Sequence, residues 1–420
     1  LAWREFSIEL RVDYVQRLIT VLETEKEECA QLMTQEMGKP IKFAISEIEK
    51  CILACQYYCR HASDFLKNHH VETEFDSSYV TYQPLGIILA VMPWNFPFWQ
   101  VFRFLIPCLL SGNAVLLKHA SIVTGCGQKI EELFSKAGFP QDLFKHLRIA
   151  SQQVDAIIEH PYVRGITLTG SEEAGRHIAK QAGQNLKKVV LELGGNDACV
   201  VCHDADIELA AKSIVSSRLR NSGQVCVATK RVIVMQEVHQ KLIQALQAEM
   251  NHYRMQDPSC LESNLGPLAR ADLRETLHQQ VQTVIGQGAL LVCGGELPQG
   301  PGFFYPPTLL DNVSPDSLIY QEELFGPVIA VTVANHLDQA MKYANATRFG
   351  LGGSIFTADI DLATRYAESH FESGLCYVNM PVTSDPRLPF GGVKDSGYGR
   401  ELSREGMLEF VNIKTVIVHE

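Results

Sequence analysis

From residue 85 onward, short apolar runs alternate with longer amphipathic stretches, and this alternation limits the chain to a small set of folds. The runs GIILAVMP, NAVLLK, VRGITLTG and KKVVLEL predict strands, and stretches such as IVTGCGQKIEELFSKAG and EEAGRHIAKQAG predict the helices between them. Strands that are apolar almost throughout are buried on both faces, as in a parallel sheet covered by helices. A second alternation follows, with strands predicted at RVIVMQ, GALLVCGG, PVIAVTVA, GGSIFT and GLCYVN. We therefore expect an α/β fold with two such units.

The segments that flank these units follow other patterns. Residues 1–68 have helical periodicity with few breakers before Gly38-Lys39-Pro40. Residues 71–84 (VETEFDSSYVTYQP) are polar and β-prone, which predicts an exposed strand pair or arm. The last segment, LEFVNIKTVIVHE, predicts a strand that no helix follows. Such a strand pairs either with the 71–84 arm or with the edge of another subunit, so we expect a homodimer or homotetramer.

Charge, hydropathy and cysteine spacing argue against several classes of protein. The formal net charge of −11, without a basic cluster, argues against nucleic-acid binding. The longest apolar stretch, 85–104, is broken by Pro93, Asn95, Pro97 and Arg103, so it does not predict a transmembrane helix. The twelve cysteines lack the spacing of a disulfide scaffold, which predicts reduced thiols in a cytoplasmic protein. We predict no metal site, because no second ligand cluster accompanies these cysteines.

Two segments carry candidate reactive groups. Cys226 lies in SRLRNSGQVCVATKR, where a turn-prone Ser-Gly-Gln precedes a predicted strand, so its thiol is within reach of solvent and substrate. The alternative is an ordinary buried cysteine, the commonest state of a free thiol. Glu192 ends the apolar strand of VVLELGGND. Burial there raises a carboxyl pKa toward the range that a general base needs, whereas a structural salt bridge at the strand end is the competing interpretation.

Two further segments carry candidate binding groups. In PWNFPFWQ, Asn95 lies in a rigid turn between two prolines, where its amide is either a fixed hydrogen-bond donor or a turn-stabilising group. In TLTGSEEAGRHI, Gly170 and Ser171 end a predicted strand, and Gly175 lies in the first turn of the next helix. Backbone N–H groups at such a helix start bind pyrophosphate, although the segment is not a GxGxxG fingerprint.

Seven motifs occur in register along nearly the whole chain. They are PWNFP at 93–97, the lysine ending NAVLLK, TGSxxxG at 169–175, LELGG at 191–195, GQVC at 223–226, EELFGPV at 322–328 and PFGGVKDSGYGRE at 389–401. In this set the chain resembles the aldehyde dehydrogenase superfamily. Within it, segments such as MPWNFPFWQV, LLKHA, LGPLAR and FGGVKDSGYGREL resemble the shorter bacterial succinate semialdehyde dehydrogenases.

The resemblance implies the aldehyde dehydrogenase fold, with a Rossmann-like NAD(P)-binding domain, an α/β catalytic domain and a small β oligomerisation arm. We place the cofactor-binding domain at 1–70 and 85–194, the catalytic domain at 195–405, and the arm at 71–84 and 406–420. The family's usual length exceeds 420 residues, and the sequence begins at Leu1 rather than Met. We therefore expect an N-terminal strand region to precede Leu1 in the native protein.

The resemblance also implies a mechanism. Cys226 attacks the aldehyde carbon as a thiolate, and Asn95 with the Cys226 backbone N–H stabilises the resulting oxyanion. Removing one such donor typically costs about 10²–10³ in rate. Hydride transfer to the nicotinamide leaves a thioester, which is hydrolysed by water that Glu192 activates. Val227 and Ala228 follow Cys226, so we predict that the chain lacks the redox switch formed by a second cysteine in some relatives.

The cofactor residues implied by the resemblance come from several motifs. Lys118 binds the adenosine ribose, Ser171 the pyrophosphate and Glu323 the nicotinamide ribose, while Phe325 lies against the nicotinamide and Trp94 forms a wall of the pocket. The glycines Gly170 and Gly175 and the turn residues Leu193 and Gly194 complete the set. Ser121 stands where many NAD-preferring relatives have a glutamate that repels a 2′-phosphate, so we predict use of both NAD and NADP. His119 is a further candidate for a contact with that phosphate.

The substrate residues implied by the resemblance are two arginines and a serine. Arg103 and Arg220 stand where succinate semialdehyde dehydrogenases hold the distal carboxylate, and Ser384 is a third candidate contact. For each arginine the alternative is a surface or interdomain ion pair. We therefore predict oxidation of succinate semialdehyde to succinate. Another small aldehyde such as glutarate semialdehyde, a cysteine esterase and a catalytically silent homologue remain the alternatives.

Overall fold

A computed structural model of the protein describes residues 3–419. Its α-helices are α1 (Ile8–Thr24), α2 (Lys26–Met37), α3 (Ile41–Leu66), α4 (Trp99–Leu110), α5 (Thr124–Lys136), α6 (Val154–Glu159), α7 (Glu172–Gln184), α8 (Ile207–Leu219), α9 (His239–Met250), α10 (Ala271–Gly286), α11 (Leu337–Asn345), α12 (Ile360–Ser369) and α13 (Ser403–Leu408). Its strands are β1 (His69–His70), β2 (Ser77–Pro84), β3 (Ile87–Met92), β4 (Ala114–His119), β5 (Phe144–His146), β6 (Val163–Thr169), β7 (Lys188–Glu192), β8 (Ala198–Val201), β9 (Arg231–Met235), β10 (Leu290–Cys293), β11 (Thr308–Asp311), β12 (Val328–Ala334), β13 (Phe349–Gly350), β14 (Gly352–Phe356), β15 (Leu375–Val378), β16 (Val393–Lys394), β17 (Gly397–Tyr398) and β18 (Val411–Val418).

The first alternation forms a six-stranded sheet in the order β17-β7-β6-β3-β4-β5. Strands β3 to β7 are parallel, and only β17 runs antiparallel, against β7. The chain starts at β3 in the middle of the sheet, continues to β4 on one side and later reaches β6 on the other. In such a doubly wound sheet, ligands bind outside the carboxyl ends of the strands where the strand order reverses. That point lies between the end of β3 and the end of β6.

The second alternation forms a seven-stranded sheet in the order β10-β11-β12-β9-β8-β14-β15. It is parallel apart from the antiparallel edge strand β10. The central strands β8, β9 and β14 are fully buried, which explains why their sequences lack the alternation of a half-exposed strand. The two sheets confirm the predicted α/β class.

The predicted helical N-terminal segment is confirmed from Ile8 to Leu66, with the break between α2 and α3 at the residues Gly38 to Pro40. Gly38 ends α2 with φ of 75°, a conformation that glycine adopts without steric cost. Residues 1 and 2 and residue 420 lie outside the described part of the chain. None of the helices within residues 3–419 is both long and apolar enough to cross a membrane.

A third, antiparallel sheet joins the two segments of the predicted arm, 71–84 and 406–420. Strand β2 pairs along its whole length with β18, from Ser77 opposite Val418 to Pro84 opposite Val411, and β1 adds a short edge. The last strand begins at Val411 rather than at Leu408, because α13 extends to Leu408. Ile413 and Ile417 are exposed on this sheet. Its role in oligomerisation stays a prediction.

Candidate active site

Cys226 follows a tight turn formed by Asn221, Ser222 and Gly223. These three residues have φ of 49°, 56° and 77°, so the backbone is left-handed at three successive positions. A Cβ on Gly223 would lie 2.2 Å from the backbone of Gly326, so only glycine fits there. The Ser222 hydroxyl donates to the carbonyl of Gly266 at 2.7 Å. Backbone strain of this kind persists only where neighbouring groups hold it, and it concentrates at functional sites.

The thiol of Cys226 is partly buried beside the apolar core. Burial raises its pKa to about 11, and the positive charges of Arg103 and Lys230 oppose this rise. Lys230 is fully buried, donates to the carbonyls of Val225 and Cys226, and forms an ion pair with Glu323 at 3.0 Å. This lysine therefore links the nucleophile to the predicted nicotinamide-ribose residue. The sequence motifs do not predict a role for Lys230, whose signal is a lysine within the largely apolar segment VCVATKRVIV.

Asn95 lies in the loop between β3 and α4 and is buried. Its amide nitrogen donates to the carbonyl of Gln224 at 3.0 Å, and its amide oxygen accepts from Gln100 at 3.0 Å. The side chain of Asn221 in turn donates to the Asn95 carbonyl at 2.9 Å. The amide of Asn95 is thus fixed against the Cys226 loop, and one of its two N–H groups remains for a ligand.

Glu192 ends β7 and is buried, and neither carboxyl oxygen has a hydrogen-bond partner in the described residues. Burial and the adjacent Glu401 raise its pKa well above the usual range, while Arg103 opposes the rise. Among residues 3–419 no basic group pairs with Glu192, so the salt-bridge interpretation of this carboxyl is wrong. The ion pair of this region joins Arg103 and Glu401 instead.

We call Glu192, Glu401 and Arg103 the acid cluster. All three side chains are buried, and Arg103 also donates to the Thr169 hydroxyl at 3.2 Å. Burial raises the pKa of Glu401 as well, and its ion pair with Arg103 opposes that effect. Arg103 therefore forms the kind of ion pair that was the alternative to substrate binding. Glu401 lies in the motif PFGGVKDSGYGRE. The sequence does not predict it as a site residue, because its partner Arg103 is remote in sequence.

A cavity of about 360 Å³ opens beside Cys226. Arg103, Arg220 and Ser384 all line it, so the structure brings the three predicted substrate residues to one space. The Arg220 guanidinium lies 5.9 Å from the centre of the Phe96 ring, and no described carboxylate is within ion-pair distance of it. Lys50 of α3 also lines the cavity, and its ammonium donates to the Ser384 hydroxyl at 2.6 Å. We call Lys50 and Arg220 the cation pair.

The predicted cofactor residues gather where the strand order of the first sheet reverses. Ser171 caps α7, its hydroxyl accepting from Ala174 N, and the first N–H groups of this thirteen-residue helix point toward the end of β6. A Cβ on Gly175 would lie 2.6 Å from the Leu193 side chain, so glycine lets α7 approach the turn after β7. A Cβ on Gly194 would likewise lie 2.7 Å from Glu323. These two close approaches bring α7, the turn after β7 and Glu323 together at the crevice where such sheets bind dinucleotides.

Aromatic and polar groups complete this crevice. The rings of Trp94 and Phe325 are 5.9 Å apart and perpendicular. Lys118 is the penultimate residue of β4, its ammonium lies 3.4 Å from the Ser151 hydroxyl, and the exposed Ser121 follows the strand. His119 points the other way. It is buried between the carbonyls of Met92 and Pro97, and burial lowers its pKa to about 4, so the suggested contact with a phosphate is wrong.

Comparison with known proteins gives one family. Residues 1–416 match the family described as "Aldehyde dehydrogenase family". The chain is 44% identical over 414 residues to "Succinate semialdehyde dehydrogenase [NAD(P)+] Sad" of Escherichia coli strain K12, covering 99% of this chain and 89% of that protein. It is 41% identical over 417 residues to "Succinate-semialdehyde dehydrogenase [NADP(+)] 1" of Mycobacterium bovis strain BCG / Pasteur 1173P2, covering 99% and 91%. The solved succinic semialdehyde dehydrogenase from Streptococcus pyogenes, in complex with NADP+, is 38% identical, with a TM-score of 0.97 over 100% of this chain and 92% of that chain.

Proposed function

The chain belongs to the aldehyde dehydrogenase family, and we propose that it oxidises succinate semialdehyde to succinate with NAD+ or NADP+. Curated relatives at 40–44% identity that are named for this substrate support the proposal. The observation that carries it is a single cavity of about 360 Å³ lined both by Cys226 and by the cation pair. An aldehyde whose far end is a carboxylate satisfies both features at once.

Cys226 is the proposed nucleophile. Its thiol must lose a proton before it attacks the carbonyl carbon, and burial opposes that loss. Glu192 is the proposed acceptor of this proton, since a carboxyl whose pKa is raised takes up a proton nearer neutral pH than an ordinary one. Arg103 favours the ionised form of both groups, so it keeps Glu192 able to accept a proton and stabilises the thiolate that the transfer produces.

The oxyanion that forms on attack needs donors that are already in place. The N–H of Asn95 that Gln224 does not use and the backbone N–H of Cys226 are the proposed donors. Because Gln100 and Asn221 hold the Asn95 amide and its loop, the donor does not have to reorganise during the reaction.

The crevice of the first sheet is the proposed NAD(P) site. Ser171 and the start of α7 would bind the pyrophosphate, Lys118 and Ser121 the adenosine ribose with or without its phosphate, and Glu323 the nicotinamide ribose. When bound, the nicotinamide would supply the acceptor for the hydride that the Cys226 adduct loses as it becomes a thioester. Glu192 then takes a proton from the water that releases the acid from Cys226.

Initial rates on a panel of aldehydes test the proposal. We expect the highest kcat/KM for succinate semialdehyde, a lower value for glutarate semialdehyde and a much lower one for butanal, with activity on both NAD+ and NADP+. Cys226→Ala should produce no NAD(P)H, while Cys293→Ala, which removes a thiol at the edge of the second sheet, is the matched control. Dehydrogenase activity in Cys226→Ala would refute the mechanism, and a preference for glutarate semialdehyde would refute the substrate.

A further inference from the structure

Lys50 is a cavity residue that none of the motifs contains. It lies on α3, far in sequence from the Cys226 loop, and its side chain is directed into the same cavity. The ammonium lies 2.6 Å from the Ser384 hydroxyl and 4.4 Å from the centre of the Trp99 ring. Both neighbours are uncharged, so they stabilise the ammonium without neutralising it.

The acids that could neutralise the cavity cations are engaged elsewhere. Glu47, one turn before Lys50 on α3, forms a buried ion pair with Lys39 and accepts from the backbone N–H groups of Phe98 and Trp99, each at 2.9 Å. Glu401 is paired with Arg103. Within residues 3–419, no acidic side chain is within ion-pair distance of Lys50 or Arg220. A buried charge without a counter-ion is costly, so this end of the cavity favours an anion.

We propose that Lys50, with Arg220 and Ser384, holds the distal carboxylate of the substrate and thereby determines the preference for acid aldehydes over uncharged ones. The inference rests on the proposed function and adds to it a specificity-determining residue. An ammonium donates three hydrogen bonds, so Lys50 can retain Ser384 and still donate to a carboxylate.

The same surroundings make the contribution of Lys50 dependent on pH. Burial, together with the positive charges of Arg220 and Arg103, lowers its pKa to about 7, and Cys51 and Glu47 oppose this fall. Asp385, beside Ser384, is paired with Arg387. Below pH 7 the free enzyme therefore presents an ammonium to the carboxylate, and above it a neutral amine. The preference for acid aldehydes should fall as the pH rises through about 7.

The ratio of kcat/KM for succinate semialdehyde to kcat/KM for butanal measures this preference, because ionisations that serve both substrates cancel in it. The ratio is measured at saturating NADP+ from about pH 6 to about pH 9, a range that brackets the titration. The variants are Lys50→Met, Lys50→Arg and Lys42→Met, the last removing a positive charge from α3 outside the cavity lining. Succinate binding, followed by calorimetry, gives a readout without turnover.

We expect Lys50→Met to lower the ratio at pH 6 by about 10- to 100-fold, as loss of a hydrogen bond between charged groups does, and to weaken succinate binding. Its pH dependence should disappear. Lys50→Arg should keep a high ratio that no longer falls above pH 7, and Lys42→Met should behave as the parent.

Equal loss of activity on both aldehydes in Lys50→Met would overturn the proposal, since Lys50 would then only position the Ser384 loop. An unchanged ratio and unchanged succinate binding would overturn it too. If the parent enzyme itself showed no preference for succinate semialdehyde over butanal, the proposed function would fail and the role of Lys50 with it. The parent enzyme thus tests the proposed function, and Lys50→Met tests the role of Lys50.

Discussion

Arg103 of the acid cluster and both members of the cation pair line the cavity beside Cys226, yet the charges of the two groups are balanced differently. In the acid cluster, one arginine stands against two carboxyls, Glu192 and Glu401, whose pKa values are both raised. In the cation pair, Lys50 and Arg220 have no acidic partner in the described structure. Buried carboxyls with raised pKa values exchange protons nearer neutral pH than ordinary carboxyls do. Buried cations without a counter-ion favour the binding of an anion. The comparison separates proton transfer from substrate binding.

Replacing Glu192 by glutamine should give the largest effect on the acid-cluster side. We expect kcat to fall by about 10²–10⁴-fold, because the amide has the shape of the carboxyl but accepts no proton. The KM for succinate semialdehyde should change little. Rapid-mixing measurement of NADPH separates the two proposed roles, since a first turnover survives if Glu192 acts only on water and is lost if it also deprotonates Cys226.

A control for this variant is Glu368→Gln, at an exposed position of α12, which should match the parent. Full activity of Glu192→Gln would remove the proton-transfer role from the acid cluster.

Replacing Arg220 by methionine should change KM rather than kcat, and only for the acid aldehyde. We expect the KM for succinate semialdehyde to rise by about 10- to 100-fold with little change for butanal, because a charge-assisted bond to the carboxylate is lost. Arg103→Met should instead lower kcat for both aldehydes, since Arg103 is paired with Glu401 and acts on Cys226 and Glu192. Steady-state kinetics on both substrates distinguish the two arginines. If Arg220→Met and Arg103→Met changed the ratio of kcat/KM for succinate semialdehyde to that for butanal equally, the two arginines would not have separate roles.

The smallest expected effect is a shift in pH dependence on replacing Glu401 by glutamine. This change removes a like charge from beside Glu192 and frees Arg103 to act on it, and both effects lower the pKa of Glu192. Because the active form is the ionised one, the rising limb of kcat/KM against pH should move to lower pH.

Measuring the pH profile with butanal avoids the titration of Lys50, and Glu405→Gln serves as the control from the same helix region. A shift toward higher pH would mean that Glu401 does not act on Glu192 by its charge.

A feature of this protein can be predicted from the sequence when the residues that determine it lie close together in the chain. The strands and the helices between them are specified by residues close in sequence, so apolar periodicity predicted them, and the family motifs contain the glycines at 175, 194 and 223. Contacts of the ionisable groups could not be predicted in this way. Neither the pairing of Arg103 with Glu401 nor the burial of His119 between two carbonyls has a local signature.

By itself, the sequence determined the α/β class, the family resemblance and the groups proposed for chemistry, Cys226, Glu192 and Asn95. Apolar periodicity and short motifs are enough for this, because they record burial and local geometry along the chain. Only the tertiary structure decided which charges are neutralised. In the fold, Lys50 of α3 lies beside Ser384 and lines the same cavity as Arg220, and Glu401 forms an ion pair with Arg103. Charge balance in a buried cavity depends on side chains from remote segments, and the fold alone determines which of them meet.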